Sequence, residues 1–508
     1  MKKKLFKRRK IKFMKKLIVL LLAVLAFGCQ SKHADFEISL FHTNDIHGHA
    51  LSGGADRLSV VELSGYVADY RARYPAVLFV DAGDAVQGHP LTNLTRGEAY
   101  ISIMNLMGYD AMVPGNHEFD WGAGQAINLA EAADFPLLAA NVTDDKGHTP
   151  FGSYIIKEFG NVFVAVVGLA TPETLYKTNP NGIKGYYFAD PVETLRAMMP
   201  LLHDEADIIV AVAHLGNEGS YTSTRLAREV DGIDVIVDGH DHTALAEGRV
   251  VGNTLIVNTG EYSHALGKVT LGIKNNKVLY KRAELLGPEK FAAVVPQPQV
   301  EALLSRITEA NEAILSTVVA EVPVALDGRR EIVRTQESLL GQLVADGLLW
   351  ETGADIALMN GGGLRDSIPA GPVTKRQVVT VLPYGNVPVT VRVKGHAVKM
   401  ALEQSLAVWP EPNGGFLHTA GLTYTVDVGK PAGQRIADIM AAGRPLDENA
   451  DYVVALPDFI AAGGDGYTMF AEAETVGQYA TDEDIFIRYL QSGRFKAAFT
   501  PRITWIGL

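Results

Sequence analysis

Residues 111–120 read Ala111-Met112-Val113-Pro114-Gly115-Asn116-His117-Glu118-Phe119-Asp120. A short apolar run is broken by Pro-Gly, and an amide, an imidazole and two carboxylates follow within five positions. An apolar run this short, bounded by turn residues, reads as a buried strand. In an α/β sheet, the carboxyl end of a strand is where sites are built. The same arrangement recurs along the chain. Asp45-Ile46-His47 follows Ile38–Phe41, and Asp81-Ala82-Gly83-Asp84 follows Val77–Val80. His214 follows Ile208–Ala213, and Gly239-His240-Asp241-His242 follows Val235–Val237. Loops leaving neighbouring strands in this way are expected to converge on one rim of a sheet, so residues scattered over about 200 positions meet there.

Further strands are expected at Val162–Val167, Leu255–Val257 and Val269–Ile273, with helical spacing from Arg57 to Arg73 and from Tyr100 to Gly108. Apolar runs alternating with amphipathic stretches are the pattern of an α/β fold. Pro296 and Pro298 open a segment with apolar residues at Val300, Leu303, Leu304, Ile307, Ile314 and Leu315, the spacing of a helix that bridges two bodies. A second α/β body then runs to the end, with strands expected at Ile356–Met359, Val387–Val393 and Tyr452–Leu456. A chain of 508 residues is longer than one core usually organises, so two domains are expected.

Taken singly, an Asp-X-His turn is most often only a solvated loop. Five of the fourteen histidines falling beside strand ends with Asp and Asn partners is a different matter. Imidazole, carboxylate and amide oxygen together suit borderline divalent ions, and the lack of thiolate excludes a structural zinc knuckle. Two such ions held with Asp45 and Asp84 as the anionic ligands leave a site near +2, the complement of a phosphate monoester. A pair of ions acidifies water to a hydroxide and holds a phosphoryl oxygen for in-line displacement.

These motifs, with Asn360-Gly361-Gly362-Gly363-Leu364-Arg365-Asp366-Ser367 in the second body, closely resemble those of the 5′-nucleotidases within the calcineurin-like metallophosphoesterases, over residues 38 to 505. The resemblance implies an αββα metallophosphoesterase sandwich joined by a helix to a smaller α/β substrate-binding domain. It implies one metal held by Asp45, His47, Asp84 and His242, and a second by Asp84, Asn116, His214 and His240. Some relatives carry an amide where His242 stands, which bears on metal choice. His117 would stabilise the phosphoryl charge and aid the leaving group, with Asp120 orienting its ring. Substrate binding is implied for Arg334, Asn360, Gly362, Arg365 and Asp465, and the nucleobase would lie between Tyr384 and Phe459. Zinc or manganese stands ahead of cobalt or iron as the metal.

The formal charge of −12 hides an asymmetry, because residues 1–28 hold ten Lys/Arg and no acid, leaving 36 basic against 58 acidic residues in the remainder. That balance excludes a surface for nucleic-acid polymers. Lysines up to Lys16 and the apolar run Leu17 to Phe27 read as an export signal, too short for a membrane-spanning helix. The run ends Leu25-Ala26-Phe27-Gly28-Cys29, as in a lipoprotein cleavage box, and Met14 is an alternative start. Cys29 is the single cysteine, so no intramolecular disulfide forms. The expected organisation is a signal (1–28), a tether (29–36), a metallophosphoesterase domain (37–295), a linker helix (296–318) and a substrate domain (319–508).

The resulting expectation is an exported 5′-nucleotidase, lipid-anchored to a bacterial envelope membrane through Cys29 and facing periplasm or exterior, that cleaves nucleoside 5′-monophosphates to nucleoside and phosphate. A soluble periplasmic or secreted form is the alternative placement. Alternative activities are hydrolysis of UDP-sugars, NAD or 2′,3′-cyclic nucleotides. A different class of protein, a non-catalytic nucleoside-binding lipoprotein, predicts broken ligands, and the ligand set is complete. The oligomeric state is left open.

Overall fold

The computed structural model describes residues 34–51, 54, 56–178 and 182–507; the expected export signal and Cys29 lie outside them. The N-terminal body holds two sheets. In the first, strands run in the order 277–286, 266–274, 36–43, 77–81, 111–112, and in the second 249–251, 254–257, 235–237, 208–213, 162–169, 154–159. The inner strands of the second sheet are parallel and buried on both faces, which is why they read as unbroken apolar runs. Alternation still sorts their side chains. Val162, Val164 and Val166 join the core between the sheets, whereas Ala165, Val167 and Leu169 pack under Val192, Leu195 and Leu202 of helix Pro191–Glu205. On the first sheet, Phe41 meets Tyr66 and Tyr70 of helix Val60–Arg73 edge-on, while Ile38 and Leu40 belong to the same buried core as Val164 and Val210. The result is helices outside two facing sheets, the mixed α/β architecture expected.

One expectation needs correcting. The polar loops leave two sheets, not one. Asp45, Asp84 and Asn116 follow strands of the first, and His214, His240 and His242 follow strands of the second. Parallel strands point their carboxyl ends the same way within each sheet, and stacking the two sheets brings both sets of loops to one end of the sandwich.

Helix Pro298–Leu315 follows, with Val300 and Leu315 fully buried against the N-terminal core. The C-terminal body carries a five-stranded sheet in the order 417–420, 356–360, 451–456, 389–394, 474–478 and a four-stranded one in the order 444–445, 436–441, 422–427, 503–506. Helix Leu339–Thr352 is capped by Ser338 and buries Leu340, Leu343, Val344 and Leu348. Among the described residues no helix is long and apolar enough to cross a membrane.

Candidate active site

The loop at residues 115–120 is built around Glu118. Its carboxylate is fully buried and accepts from the main-chain N–H groups of Gly115 (2.6 Å), Asp84 (2.9 Å), Ala85 (2.9 Å) and Val86 (3.3 Å). One side chain therefore ties two polar loops together. Asn44 does the same across the sheets, donating to Asp45 Oδ2 (2.7 Å) and the Gly260 carbonyl (2.8 Å) and accepting from Thr259 N (2.8 Å).

Asp45 (φ 49°), His47 (49°), Asp84 (55°), His240 (85°) and His242 (60°) all lie in the left-handed region that non-glycine residues avoid. Each such residue costs on the order of 1–3 kcal/mol, and held together by the surrounding bonds they mark a functional cluster. Asp45, His47 and His242 bring ligand atoms within 4.8 Å of one another, as do Asp84, His214 and His240. His240 N donates to both Asp45 oxygens (3.0 Å each), and His117 N donates to Asp84 Oδ1 (2.8 Å), so the two clusters share walls.

The electrostatics call for cations. Burial pushes the Asp45 carboxyl up, whereas Asp84, which burial also pushes upward, is held well below the usual range by His214 and then His117. Burial lowers the His214 imidazole, but Asp84 and Asp45 outweigh it and push it up to about 10. Asn116 presents a buried Oδ1 with no hydrogen-bond partner, a ready ligand. The donor set of imidazole, carboxylate and amide oxygen fits two borderline divalent ions.

His117 stands beside these clusters. Its Nδ1 lies 2.7 Å from Asp120 Oδ2, and Thr178 Oγ1 donates to Asp120 Oδ1 (3.0 Å). Burial lowers the His117 imidazole, yet Asp120 and Asp84 together leave it above its ordinary value. Over this ring lies Tyr384 from the other body, stacked at 5.6 Å and 22°.

A cavity of about 590 Å³ spans both bodies. Asp84, Asn116, His117, Asp120, His240 and His242 line one side, and Arg334, Asn360, Gly362, Arg365, Tyr384, Phe459 and Asp465 the other. Asn360 Nδ2 donates to Asp465 (3.1 Å), leaving its Oδ1 free of a partner. Arg334 is lowered to about 9 by burial and then by Arg365 and Arg330, so three guanidiniums share one wall and await an anion. Gly464 has no room for a Cβ, which would meet the Phe459 ring at 2.3 Å. Tyr384 and Phe459 line the same cavity.

Sequence reasoning missed Arg330, Glu173, Glu261 and Tyr262. Arg330 stands four positions before Arg334, a spacing that a helical turn places on one face and that was open to notice. Glu173 and Glu261 carry no local signal, since only the fold brings them to His240 and His242.

Residues 38–244 match the calcineurin-like phosphoesterase family, and residues 318–472 match the 5′-nucleotidase C-terminal domain. A 5′-nucleotidase of Vibrio cholerae is 30% identical over 505 residues, covering 87% of this chain and 90% of that protein. This chain belongs to the 5′-nucleotidase family. A 5′-nucleotidase precursor of Thermus thermophilus has a crystal structure with a TM-score of 0.77 at 34% identity, covering 93% of this chain and all of that one. The trifunctional nucleotide phosphoesterase YfkN of Bacillus subtilis is 31% identical over 92% of this chain, which spans 35% of that longer protein. As a member of the 5′-nucleotidase family, the chain is a metal-dependent phosphoester hydrolase.

Proposed function

We propose that the chain hydrolyses nucleoside 5′-monophosphates to nucleoside and phosphate with two divalent ions, zinc or manganese, and does so after export. The observation that carries this reading is the shared cavity, which sets residues of two candidate metal-ligand clusters opposite three arginines and two aromatic rings. That combination suits a doubly charged phosphate joined to a flat heterocycle. The relatives described as 5′-nucleotidases support it.

Asp45, His47, Asp84 and His242 would hold one ion, and Asp84, Asn116, His214 and His240 the other. When bound, the pair supplies acidified water and a Lewis-acid grip on the phosphoryl oxygens. Asn116 Oδ1 and the carboxylates of Asp45 and Asp84 are the oxygen donors. His117, oriented by Asp120, donates to phosphoryl charge and to the departing ribose oxygen. Arg330, Arg334 and Arg365 draw in the anion, Asn360 and Asp465 meet the ribose hydroxyls, and Gly362 lets the chain approach closely. Tyr384 and Phe459 flank the base. Residues 37–295 thus hold the chemistry, 296–318 the bridge and 319–508 the selection of substrate.

Export is supported by the lysine-rich and apolar start of the chain, and a lipid on Cys29 would keep the enzyme at the membrane. Cys29→Ser is then expected to leave membranes for the soluble fraction.

The test of activity is a panel of AMP, 2′,3′-cyclic AMP, NAD, UDP-glucose and p-nitrophenyl phosphate on metal-reconstituted protein. AMP is expected to have the highest kcat/KM. A higher value on the cyclic ester, NAD or UDP-glucose would replace this reading with that activity.

A further inference from the structure

Each imidazole of the proposed metal set has a second nitrogen, and each of these second nitrogens meets an acceptor. His47 Nδ1 lies 3.1 Å from the Gln87 carbonyl and His214 Nδ1 2.7 Å from the Ala82 carbonyl. His240 Nε2 lies 3.1 Å from Glu173 Oε2, and His242 Nδ1 meets Glu261. The other nitrogens face inward: His214 Nε2 is 3.0 Å from Asp84, and His242 Nε2 is 3.6 Å from Asp45 and 3.4 Å from His47 Nε2. His240 has Nδ1 left for its cluster. The division is even. Each cluster contains one histidine backed by a main-chain carbonyl and one backed by a carboxylate.

A carboxylate acceptor fixes the tautomer and ring orientation of an imidazole and makes its inward nitrogen a stronger donor to a cation. Glu173 is itself held close. Its side chain is 13% exposed, and the loop at Gly219 (φ 79°) closes on it so tightly that a Cβ there would meet Glu173 Oε1 at 2.7 Å. Glu261 immediately precedes Tyr262, whose ring lies 5.9 Å from His242.

We propose that Glu173 and Glu261 are positioning residues, one for each ion: Glu173 acts through His240 on the ion shared with Asp84 and His214, and Glu261 acts through His242 on the ion held with Asp45 and His47. The assignment rests on the two-ion reading above. Because each carboxylate serves one cluster, losing it weakens one ion and spares the other, which a general loosening of the fold would not do.

The experiment is a calorimetric titration of metal-stripped protein with Co²⁺, comparing the wild type with Glu173→Gln and Glu261→Gln. The wild type is expected to bind two ions. Each variant is expected to keep one ion at wild-type affinity and to bind the other about 10–100-fold more weakly. Asp at either position, which restores the charge, brings part of that affinity back. Thermal midpoints of the metal-free variants are expected to match that of the metal-free wild type. Unchanged affinities for both ions in both variants would overturn the assignment, as would equal weakening of both ions by either single change. A wild-type chain that takes up only one ion would overturn the two-ion reading itself, and the assignment with it.

Discussion

His117 shows how much a single side chain depends on its neighbours. Its ring is held between Asp120, itself steadied by Thr178, and the face of Tyr384, with only 14% of the side chain exposed. It makes no part of either ligand cluster. His117→Ala is therefore expected to lower kcat by about 10²–10³ while the protein retains both ions, as elemental analysis would report. Loss of an ion along with the imidazole would show that it is a ligand instead. The His117–Asp120 spacing was visible in the sequence. The left-handed backbone of Asp45, His47, Asp84, His240 and His242 was not, because the bonds that hold it come from other loops, such as Glu118 accepting from Asp84 N and the Asp84 carbonyl accepting from His47 N.

Loops and helices raise a different balance of effects. Glu118 satisfies four buried N–H groups, and a buried donor left unpaired costs about 1–3 kcal/mol. Glu118→Ala is expected to destabilise the N-terminal body by at least about 3 kcal/mol in urea unfolding and to release metal with it. Gly341 makes a sharper comparison. Replacing a helical glycine by alanine ordinarily stabilises by about 1 kcal/mol. Here the added Cβ would meet the buried His418 ring at 2.2 Å, and overpacking costs about 1–3 kcal/mol. The clash should win, so Gly341→Ala is expected to lower the thermal midpoint rather than raise it.

Across the two bodies, His42 and His418 make stability depend on pH. Burial lowers His42 to about 3 and His418 to about 4, from 6.5 in the unfolded chain. Below pH 6.5 the unfolded chain binds protons that the folded one refuses. Stability from these groups is thus complete above pH 6.5 and is lost as pH falls toward 4, by about 3 kcal/mol for His418 alone. Urea unfolding of metal-free protein between pH 7 and 4.5 should show this slope, and His418→Gln should flatten it. The proposed division of the reaction between the two bodies has its own test. Ala at Tyr384 or Phe459 is expected to raise KM for AMP by a factor corresponding to about 1–3 kcal/mol, with much smaller loss on p-nitrophenyl phosphate, which has no base. Equal losses on both substrates would mean that the rings serve the fold instead.

The sequence by itself determined the buried parallel strands and the polar residues at their ends, because a strand covered on both faces must be apolar throughout and its exit must not be. Ile208–Ala213 and Val235–Val237 are strands over those same residues. It did not reveal Lys277–Leu286 or the short C-terminal strands Leu422–Asp427 and Glu474–Gln478, where a solvated face or an edge admits charges and pairing depends on distant partners. Only the tertiary structure decided that the site is shared by two sheets, that Tyr384 lies over His117, and that Glu173 and Glu261 stand behind His240 and His242. Those contacts join residues far apart in the chain, and no local pattern of side chains encodes which distant carboxylate will meet a given imidazole.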